Sequence, residues 1–507
     1  MELRDLVVAI LTSEEARERD RLAIEAGTPS RVLMQNAGVA AAMRIVHHFR
    51  GDLSTGVEIH TGPGNNGGDG WVVAAELTRQ GVPVNVVEAE PPRTADAINA
   101  RDSTRLVQTS SSTSRPGIVV DALLGTGSRG ELKGAIRNAV NTINAARHQG
   151  VKVVALDIPT GVDANSGATG EPVVADLTLS FGSAKRGHLI ARASCGIIEI
   201  LDIGLGAFGS PSEGDVALAS PDWVAAHILR IAPDSHKGTR RRLAIIAGDV
   251  GMAGAAILAG RGALRSGIGL LRLIVAKENR DSAHVAVPAA LVSTHDDLLA
   301  DPAGMLSVAD TVVIGPGLRA ENAARLLAAV PKSVKLVVLD AGALAAIGNN
   351  GNMLQEFCAG REVVLTPHPA EMGKMLGLST ADILERRFDI GLHLASVARA
   401  TVLLKGTPTI VSHSERGGIA TATGTAALAT GGSGDVLSGM IGTLLAQTGN
   451  GFDSAVCGAW VHGRAAELCG SVRGVTLDDI LFAMPAAWSS RGPLVKLPVL
   501  ASLPFVQ

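Results

Sequence analysis

The chain of 507 residues contains no tyrosine, and aromatic residues make up only 2% of it. Since bases stack best on aromatic rings, we expect aliphatic side chains and backbone to hold any nucleotide base. A basic excess is also lacking, because 45 Lys and Arg stand against 48 Asp and Glu, a net charge of -3. This balance argues against nucleic acid and against an anionic membrane as partners.

Paired cysteines and long apolar runs are missing too. The four cysteines, Cys195, Cys358, Cys457 and Cys469, show no C-x-x-C spacing, which argues against a zinc site and a disulfide framework. No eighteen consecutive residues are apolar. The short apolar run 6–11 is followed by a charged segment, unlike a secretory signal. We therefore predict a cytoplasmic location.

What the chain does have is glycine, hydrophobic residues and a repeated strand and helix pattern. It is 46% hydrophobic with 60 glycines, and its length predicts about two to four domains. Strand-like runs alternate with helical segments in both halves, which is typical of α/β domains with mainly parallel sheets. Residues 201–216 are rich in glycine, serine and proline. We predict an N-terminal domain over 1–215 and a C-terminal domain over 225–507.

The first half contains a glycine-rich loop, 62–70, between a strand at 57–61 and a helix expected at 71–80. Its glycines satisfy G-x-G-x-x-G, so a nicotinamide-dependent dehydrogenase is one interpretation. The same loop carries Asn65, Asn66 and Asp69. Their side chains would crowd a pyrophosphate but suit a hydroxylated ligand or a hard cation.

Two further strands of the first half end in polar residues. One leads to Asp121 and a glycine turn, and the other leads to Asp157 and Thr160. Because ligands of parallel sheets bind beyond the carboxyl ends of the strands, we expect Asn66, Asp121 and Thr160 to converge there. Oxygen ligands of this kind select hard cations, and an alkali ion fits a set with few carboxylates. Lys185 follows another strand and is a candidate for the same crevice.

Polar or glycine-rich turns also follow the strands of the second half. They are Gly315-Pro-Gly317, Asp340-Ala-Gly342, Thr366 to Glu371, Lys405 to Thr409 and Gly431-Gly-Ser-Gly-Asp435. The last of these runs into apolar residues at helical spacing, so its backbone N–H groups should form an anion cradle at a helix N-terminus. Asp435 is either an ordinary first-turn acid or a base that takes a proton from a hydroxyl as it meets a phosphoryl group.

Three motifs of the first half, at 62–70, 121–127 and 157–163, together resemble the epimerase domain of NAD(P)H-hydrate repair enzymes. The resemblance implies a Rossmann-like α/β/α sandwich that equilibrates the R and S hydrates at ring carbon 6. It makes Asp157 the proton-transfer residue with Lys185 as helper, and it implies that Asn66, Asp121 and Thr160 bind potassium. The implied substrate contacts are Asn65, Asn66, Gly67, Gly68, Asp69, Gly125, Thr126, Gly127, Ser128, Arg129, Gly130, Glu131 and Asp157.

Motifs of the second half, at 236–238, 315–317, 366–369 and 431–435, resemble the ADP-dependent NAD(P)H-hydrate dehydratase of the ribokinase-like superfamily. The resemblance implies a second α/β/α sandwich that uses ADP with magnesium and has Asp435 as its catalytic base. The implied ADP contacts are Lys405, Gly406, Thr407, Pro408, Thr409 and Gly434. The implied hydrate contacts are Ala253, Gly317, His368 and Asp435.

The pattern departs from the family at Gly342, where a second aspartate is expected, and at Arg319, where glycine is more usual. The first departure weakens any role for Asp340, and the second affects the hydrate contact after Gly317.

The two resemblances predict a bifunctional enzyme that repairs the hydrates of NADH and NADPH, and a homo-oligomer. Three alternatives remain at this point: a small-molecule kinase of the ribokinase-like superfamily, a dehydrogenase, and a first half that only binds nucleotide. The residues themselves do not distinguish ADP from ATP.

Overall fold

A computed structural model describes residues 7–105, 115–212, 214–489 and 496–506. The chain forms two compact units. One contains the residues up to Leu218 together with a C-terminal segment that ends at Val506, and the other begins at Ala219.

The strands and helices alternate along both units. The described strands are β1 (Val7–Leu11), β2 (Val57–Thr61), β3 (Val84–Glu88), β4 (Ile118–Ala122), β5 (Lys152–Leu156), β6 (Leu177–Phe181), β7 (Ala184–Lys185), β8 (Ile197–Leu201), β9 (Val216–Ala219), β10 (Arg242–Ile246), β11 (Leu270–Val275), β12 (Ala290–Thr294), β13 (Thr311–Ile314), β14 (Leu336–Leu339), β15 (Glu362–Leu365), β16 (Thr401–Leu404), β17 (Thr409–His413), β18 (Gly417–Thr421) and β19 (Val499–Leu503). The described α-helices are α1 (Ser13–Glu25), α2 (Ser30–His48), α3 (Asn65–Arg79), α4 (Ala95–Arg105), α5 (Gly134–His148), α6 (Arg186–Ile190), α7 (Arg192–Cys195), α8 (Pro221–His227), α9 (Ala253–Arg265), α10 (Arg280–Ala286), α11 (His295–Ala300), α12 (Pro302–Leu306), α13 (Ala320–Ala329), α14 (Ala341–Ile347), α15 (Gly351–Cys358), α16 (Pro369–Leu376), α17 (Thr380–Glu385), α18 (Ile390–Ala398), α19 (Ser433–Thr448), α20 (Gly451–Leu468) and α21 (Leu477–Ser489).

The first unit is built on a twisted sheet with the strand order β19-β8-β6-β5-β4-β2-β3. The pairs from β8 to β3 are parallel. Its inner strands β4, β5, β6 and β8 are buried on both faces and are rich in Val, Ile and Leu, as expected for a parallel sheet covered by helices. The chain order reverses between β2 and β4, so the loops after these two strands open a crevice at the sheet's carboxyl edge.

The second unit contains a sheet with the order β12-β11-β10-β13-β14-β15-β16-β17-β18. Its strands are parallel up to β16, and β17 and β18 are antiparallel. Here the chain order reverses between β10 and β13. The loops after those strands touch, because the Gly248 N–H donates to the Pro316 carbonyl at 2.9 Å. The predicted α/β class is confirmed in both units. The strands β12, β17 and β18 were not predicted.

The first helix after the glycine-rich loop is longer than the sequence predicts. We expected it to begin at residue 71, but α3 begins at Asn65. The glycines serve close packing inside the helix: a Cβ on Gly67 would lie 2.1 Å from the Gly62 carbonyl oxygen, and one on Gly70 would lie 2.5 Å from the Ala122 Cβ. The glycine-rich segment therefore predicts a loop, although in the structure most of it forms the first turns of the buried helix α3.

The predicted C-terminal domain, 225–507, differs from the structure at its end. The strand β19 pairs antiparallel with β8 and so completes the sheet of the first unit. Its side chains alternate between buried and half-buried, with Val499, Ala501 and Leu503 buried. This short alternation is the only sign of β19 in the sequence, and it does not show that the strand pairs with the distant β8.

In the described part of the chain, no helix combines the length and the apolar character that crossing a membrane requires.

Candidate active sites

A cavity of about 680 Å³ lies at the crevice of the first unit. Its wall is formed by the loops that follow β2, β4 and β5 and by α1 and α2. This volume is in the range of pockets that hold small ligands and cofactors. The cavity is therefore the candidate active site of the first unit.

Asp157 and Lys185 form an ion pair in the wall of this cavity. The Lys185 Nζ lies 2.7 Å from the Asp157 Oδ1, and it also donates to the Ser180 hydroxyl and the Phe181 carbonyl, each at 3.0 Å. The Thr126 N–H donates to the other carboxylate oxygen at 3.2 Å. Lys185 is thus a buried partner of Asp157 and not a solvated surface residue.

The backbone of Asp157 adopts a left-handed conformation, with φ of 61°. A non-glycine residue in this region is strained and must be held by its surroundings. His188 supplies that restraint. Its Nε2 lies 2.8 Å from the Asp157 carbonyl, and its Nδ1 accepts the Lys185 N–H at 3.1 Å. Burial lowers the pKa of His188 to about 3, so the ring is neutral and holds both catalytic candidates through their backbones.

The carboxylates in this cavity differ in charge state. Burial opposes ionisation of Asp157, but the Lys185 charge and hydrogen bond outweigh it and lower the pKa of Asp157. Burial and the nearby Asp157 charge raise the pKa of Asp69 well above its ordinary value. Asp157 is consequently ionised at neutral pH, which is the state that a general base requires.

Two of the predicted potassium ligands, Asp121 and Thr160, are hydrogen-bonded to each other, and the third, Asn66, lies against Gly125 in the loop after β4. The Thr160 N–H and hydroxyl both donate to the Asp121 carboxylate at 2.8 Å. Asn66 is buried, and neither its Oδ1 nor its Nδ2 has a hydrogen-bond partner among the residues that the structure describes. Burial raises the pKa of Asp121 to about 6, so a positive charge beside it would be favourable. An orphaned amide oxygen and a buried carboxylate are a donor set that fits a hard cation.

The predicted substrate contacts divide between this cavity and a neighbouring one. The residues that line the first cavity are Asn65, Asn66, Asp69, Gly125, Thr126, Gly127, Ser128, Arg129 and Asp157. Gly130 and Glu131 instead line a second cavity of about 490 Å³, which Ser128 and Arg129 also border. Gly67 and Gly68 line neither cavity and pack inside the unit.

In the second unit, the predicted phosphate cradle is the start of α19. Gly432 precedes the helix with φ of 93°, and Asp435 lies in the first turn. The apolar residues that follow at helical spacing, Val436, Leu437, Met440, Leu444 and Leu445, are buried. The predicted helix is confirmed. The Ser433 N–H donates to the Thr430 carbonyl at 3.3 Å, and the next N–H groups of the first turn have no intrahelical acceptor and can bind an anion.

Asp340 was given no firm role by the sequence, yet it organises this site. Its buried carboxylate accepts from the Lys405 Nζ and from the Ser438 hydroxyl, each at 2.6 Å. A Cβ built on Gly434 would lie 3.1 Å from the Lys405 Nζ, so the ammonium group adjoins the first turn of α19. The position of Asp340 at the end of β14 was the available signal, and only the fold reveals its partners.

No residue in the described ranges donates a hydrogen bond to the Asp435 carboxylate. Burial and the Asp340 charge raise the pKa of Asp435 to about 6, although Lys405 acts in the opposite direction. A carboxylate with an unoccupied oxygen and a pKa near neutrality is suited to general-base catalysis.

Asp249 is a further residue that the sequence analysis missed. It is buried after β10 and accepts the Arg319 N–H at 2.6 Å and the Asn322 side-chain amide at 2.5 Å. It thereby joins the loop before Ala253 to the loop that contains Gly317. The Asp249 N–H also donates to the Gly317 carbonyl at 2.9 Å. Arg319, the departure from the family pattern, contributes a backbone bond that any residue could supply.

The remaining predicted residues lie at strand ends, but the hydrogen bonds of some are local. The His368 Nδ1 accepts the Ala370 N–H at 3.1 Å and so caps α16, and its ring is half-exposed. Lys405 to Pro408 connect β16 to β17, the strand that begins at Thr409. Among the described residues, no cluster of three His, Cys, Asp or Glu side chains could hold a metal ion.

Comparison with known proteins covers both units. Residues 243–484 match a family described as NAD(P)H-hydrate dehydratase, and residues 30–187 match one described as YjeF-related protein N-terminus. A solved structure of the ADP/ATP-dependent NAD(P)H-hydrate dehydratase from Bacillus subtilis, co-crystallised with ATP/Mg2+, is 27% identical with a TM-score of 0.48, covering 54% of this chain and 98% of that one.

Two curated relatives extend along most of the chain. The bifunctional NAD(P)H-hydrate repair enzyme Nnr of Coxiella burnetii is 32% identical, covering 94% of this chain and 98% of the relative. The protein of the same name from Escherichia coli is 35% identical, covering 83% of this chain and 82% of the relative. These relatives do not favour a kinase fused to a nucleotide-binding module. The chain belongs to the family of bifunctional NAD(P)H-hydrate repair enzymes.

Proposed function

We propose that the first unit interconverts the R and S hydrates of NADH and NADPH, and that the second unit dehydrates the S form with ADP, releasing AMP and phosphate. Family membership along nearly the whole chain supports this assignment. The observation that carries it is a separate acid/base carboxylate in each unit: Asp157 paired with Lys185, and Asp435 at the start of α19.

In the first unit, Asp157 accepts the proton of the hydroxyl on ring carbon 6. Lys185 keeps this carboxylate ionised, and the Thr126 N–H fixes its orientation. Removal of this proton lets the oxygen form a carbonyl group as the bond between carbon 6 and the ring nitrogen breaks, and the configuration at carbon 6 is then lost.

In the second unit, Asp435 takes the proton of the carbon-6 hydroxyl while its oxygen attacks the terminal phosphoryl group of ADP. The P–O bond to AMP breaks, and helix N–H groups stabilise the charge on the transferred group. Phosphate then leaves carbon 6 as the lone pair of the ring nitrogen forms a C=N bond. Loss of a proton from carbon 5 restores the dihydropyridine.

We assign the phosphates of ADP to Lys405 and Gly434, and the ion pair with Asp340 that keeps the lysine beside the helix supports this assignment. Magnesium would enter with the nucleotide and neutralise phosphate charge. Turnover with ADP compared with ATP, each with magnesium, tests the choice of nucleotide.

Potassium is proposed for Asn66, Asp121 and Thr160, where it would offset the buried Asp121 charge. The orphaned Asn66 amide supports this set. Potassium should raise the Tm of the protein above its value in sodium at equal ionic strength. The difference should vanish in Asn66→Ala, and equal Tm values in both salts for the wild-type protein would contradict the site.

The test of the dehydratase is Asp435→Asn, assayed with the S hydrate and ADP by the return of reduced-cofactor absorbance. We expect turnover to fall by about 10²–10⁴-fold with ADP binding kept. Asp478→Asn is the matched control, because Asp478 is also a first-turn acid of a helix in this unit but is exposed and paired with Arg261. Near-normal turnover in Asp435→Asn would refute the assignment.

The test of the epimerase is Asp157→Asn, supplied with the R hydrate alone. The second unit should then process only the fraction that epimerises without the enzyme. Unchanged R-to-S exchange would place the base elsewhere. A cytoplasmic location and a homo-oligomeric state stay predictions, and light scattering measures the latter.

A further inference from the structure

The helix α1 forms one wall of the epimerase cavity and carries a carboxylate, Asp20, that faces it. The strand before the helix sets its position. In the parallel pairing of β1 with β7, Leu11 lies opposite Lys185, so α1 starts beside the catalytic ion pair. The Ser13 N–H then donates to the Asn165 side chain at 2.7 Å.

Bonds from Arg19 also hold α1 in place. The buried Arg19 donates to the Phe208 carbonyl at 3.0 Å and to the Ser210 carbonyl at 2.6 Å, and it pairs with Asp215. Because Arg19 directly precedes Asp20, these bonds fix the carboxylate at the cavity wall and limit its motion.

Asp20 has no hydrogen-bond donor among the described residues. It shares the cavity with the charged pair of Asp157 and Lys185 and with Asp69. Burial raises the pKa of Asp20 to about 6, with Lys185 opposing and Asp157 reinforcing the shift. The cavity therefore contains one carboxylate that is held ionised and another whose raised pKa lets it carry a proton as pH falls to about 6.

Epimerisation at ring carbon 6 calls for this combination. When a base removes the hydroxyl proton, the electron pair of the O–H bond forms the second bond of a C=O group, and the electron pair of the C–N bond moves to the ring nitrogen. An acid must supply a proton to that nitrogen. Rotation of the aldehyde and the reverse steps then close the ring with the opposite configuration, and each proton returns to its donor.

We propose that Asp20 is the general acid of the epimerase, giving a proton to the ring nitrogen while Asp157 takes the hydroxyl proton. The inference rests on the proposed epimerase function and on Asp157 as its base. Asp69 shares the cavity but is more deeply buried, whereas the half-buried Asp20 can regain a proton from solvent.

The primary test is Asp20→Asn in the full chain, assayed for conversion of the R hydrate. We expect kcat for epimerisation to fall by about 10²–10⁴-fold, while dehydration of the S hydrate by the same preparation stays unchanged and reports that the chain is folded. The control is Glu18→Gln, which removes a carboxylate from the same helix at an exposed position paired with Arg21. It should epimerise like the wild type.

The outcomes separate this inference from the proposed function. If Asp157→Asn is inactive but Asp20→Asn is normal, the acid role is wrong and the epimerase stands. If the wild-type chain does not epimerise, the proposed function of the first unit fails. If Asp69→Asn loses kcat and Asp20→Asn does not, Asp69 is the acid and our assignment is overturned.

A pH profile distinguishes an acid from a residue that only positions α1. The charged groups that line the cavity with Asp20 are Asp69 on α3, Asp157 and Lys185 at the strand ends, Arg17 and Arg19 on its own helix, Asp96 on α4 and Arg129 after β4. Since the acid must be protonated, wild-type kcat/KM should decline as pH rises through about 6. Asp20→Glu should restore part of kcat and keep this decline, and Asp20→Asn should lack it. A decline that persists in Asp20→Asn would contradict the proposal.

Discussion

At the scale of the residue, the two proposed bases have opposite electrostatic environments. Asp157 lies against the Lys185 ammonium group, which lowers the pKa of Asp157 in spite of burial. Burial and the Asp340 charge raise the pKa of Asp435 to about 6, and the Lys405 charge offsets only part of this increase. The rates of epimerisation and dehydration should therefore respond differently to acid.

Dehydration should lose rate on the acid side of about pH 6, because a base with a raised pKa is protonated as pH falls through that value. A rate profile of S-hydrate turnover at saturating ADP measures this decline. In the same range Asp157 stays ionised, so acid should not remove the base of the epimerase. A flat dehydration profile between pH 5 and about 7 would contradict the raised pKa.

Asp340→Asn should act on both nucleotide binding and the pH profile. The change removes the negative neighbour of Asp435, so the acid decline should move to lower pH. It also releases Lys405 from its ion pair, and we expect KM for ADP to rise by roughly tenfold, or about 1.4 kcal/mol.

Ser438→Ala is the control for Asp340→Asn, since it removes a hydrogen bond to Asp340 without changing charge. It should leave the midpoint of the acid decline in place. An equal shift of that midpoint in both variants would show that packing, and not charge, sets the pKa of Asp435.

At the scale of the element, glycines control how closely helices approach one another and the sheets. Gly439 faces α9 from the middle of α19, and a Cβ there would lie 1.9 Å from the Ala259 carbonyl oxygen. The helix α19, which carries Asp435, therefore packs in direct contact with the backbone of α9.

Gly439→Ala should destabilise the second unit by about 1–3 kcal/mol, although alanine is the better helix former. Gly351→Ala is the control, because Gly351 lies in α15 and a Cβ added there would meet no atom of the described residues within 4 Å. Urea unfolding of each variant measures the difference. Equal stability of the two variants would show that α19 can move away from α9 at little cost.

These contacts mark the limit of prediction from sequence. The α19 helix and its buried residues were predictable because apolar side chains recur at helical spacing. The start of α3 was not predictable, because glycines at 67, 68 and 70 are typical of a loop. Only the structure shows the close neighbours that require glycine at these positions. The bonds of Asp340 and Asp249 join distant segments, and no local pattern encodes such partners.

At the scale of the whole molecule, the first unit is discontinuous in sequence. Its sheet takes β8 from the first half and β19 from the end of the chain, with Leu503 opposite Ile198. Arg192 bonds the Pro504 carbonyl just beyond the strand.

A stop codon after Pro498 should lower the stability of the first unit and its epimerase rate, because it removes an edge strand with three buried side chains. The dehydratase rate should remain. A stop after Pro504 is the control, since it keeps β19 and its contact with Arg192. Separate assays with the R and S hydrates measure both rates, and an unaltered epimerase after the longer deletion would make the strand dispensable.

The position of β19 also has a consequence for synthesis on the ribosome. About three hundred residues are translated between Leu201 and Val499, which takes on the order of tens of seconds. Throughout this interval β8 remains an open edge that can pair with other nascent strands. The epimerase unit begins to form first and is completed last, so its yield should depend on how quickly the rest of the chain is made.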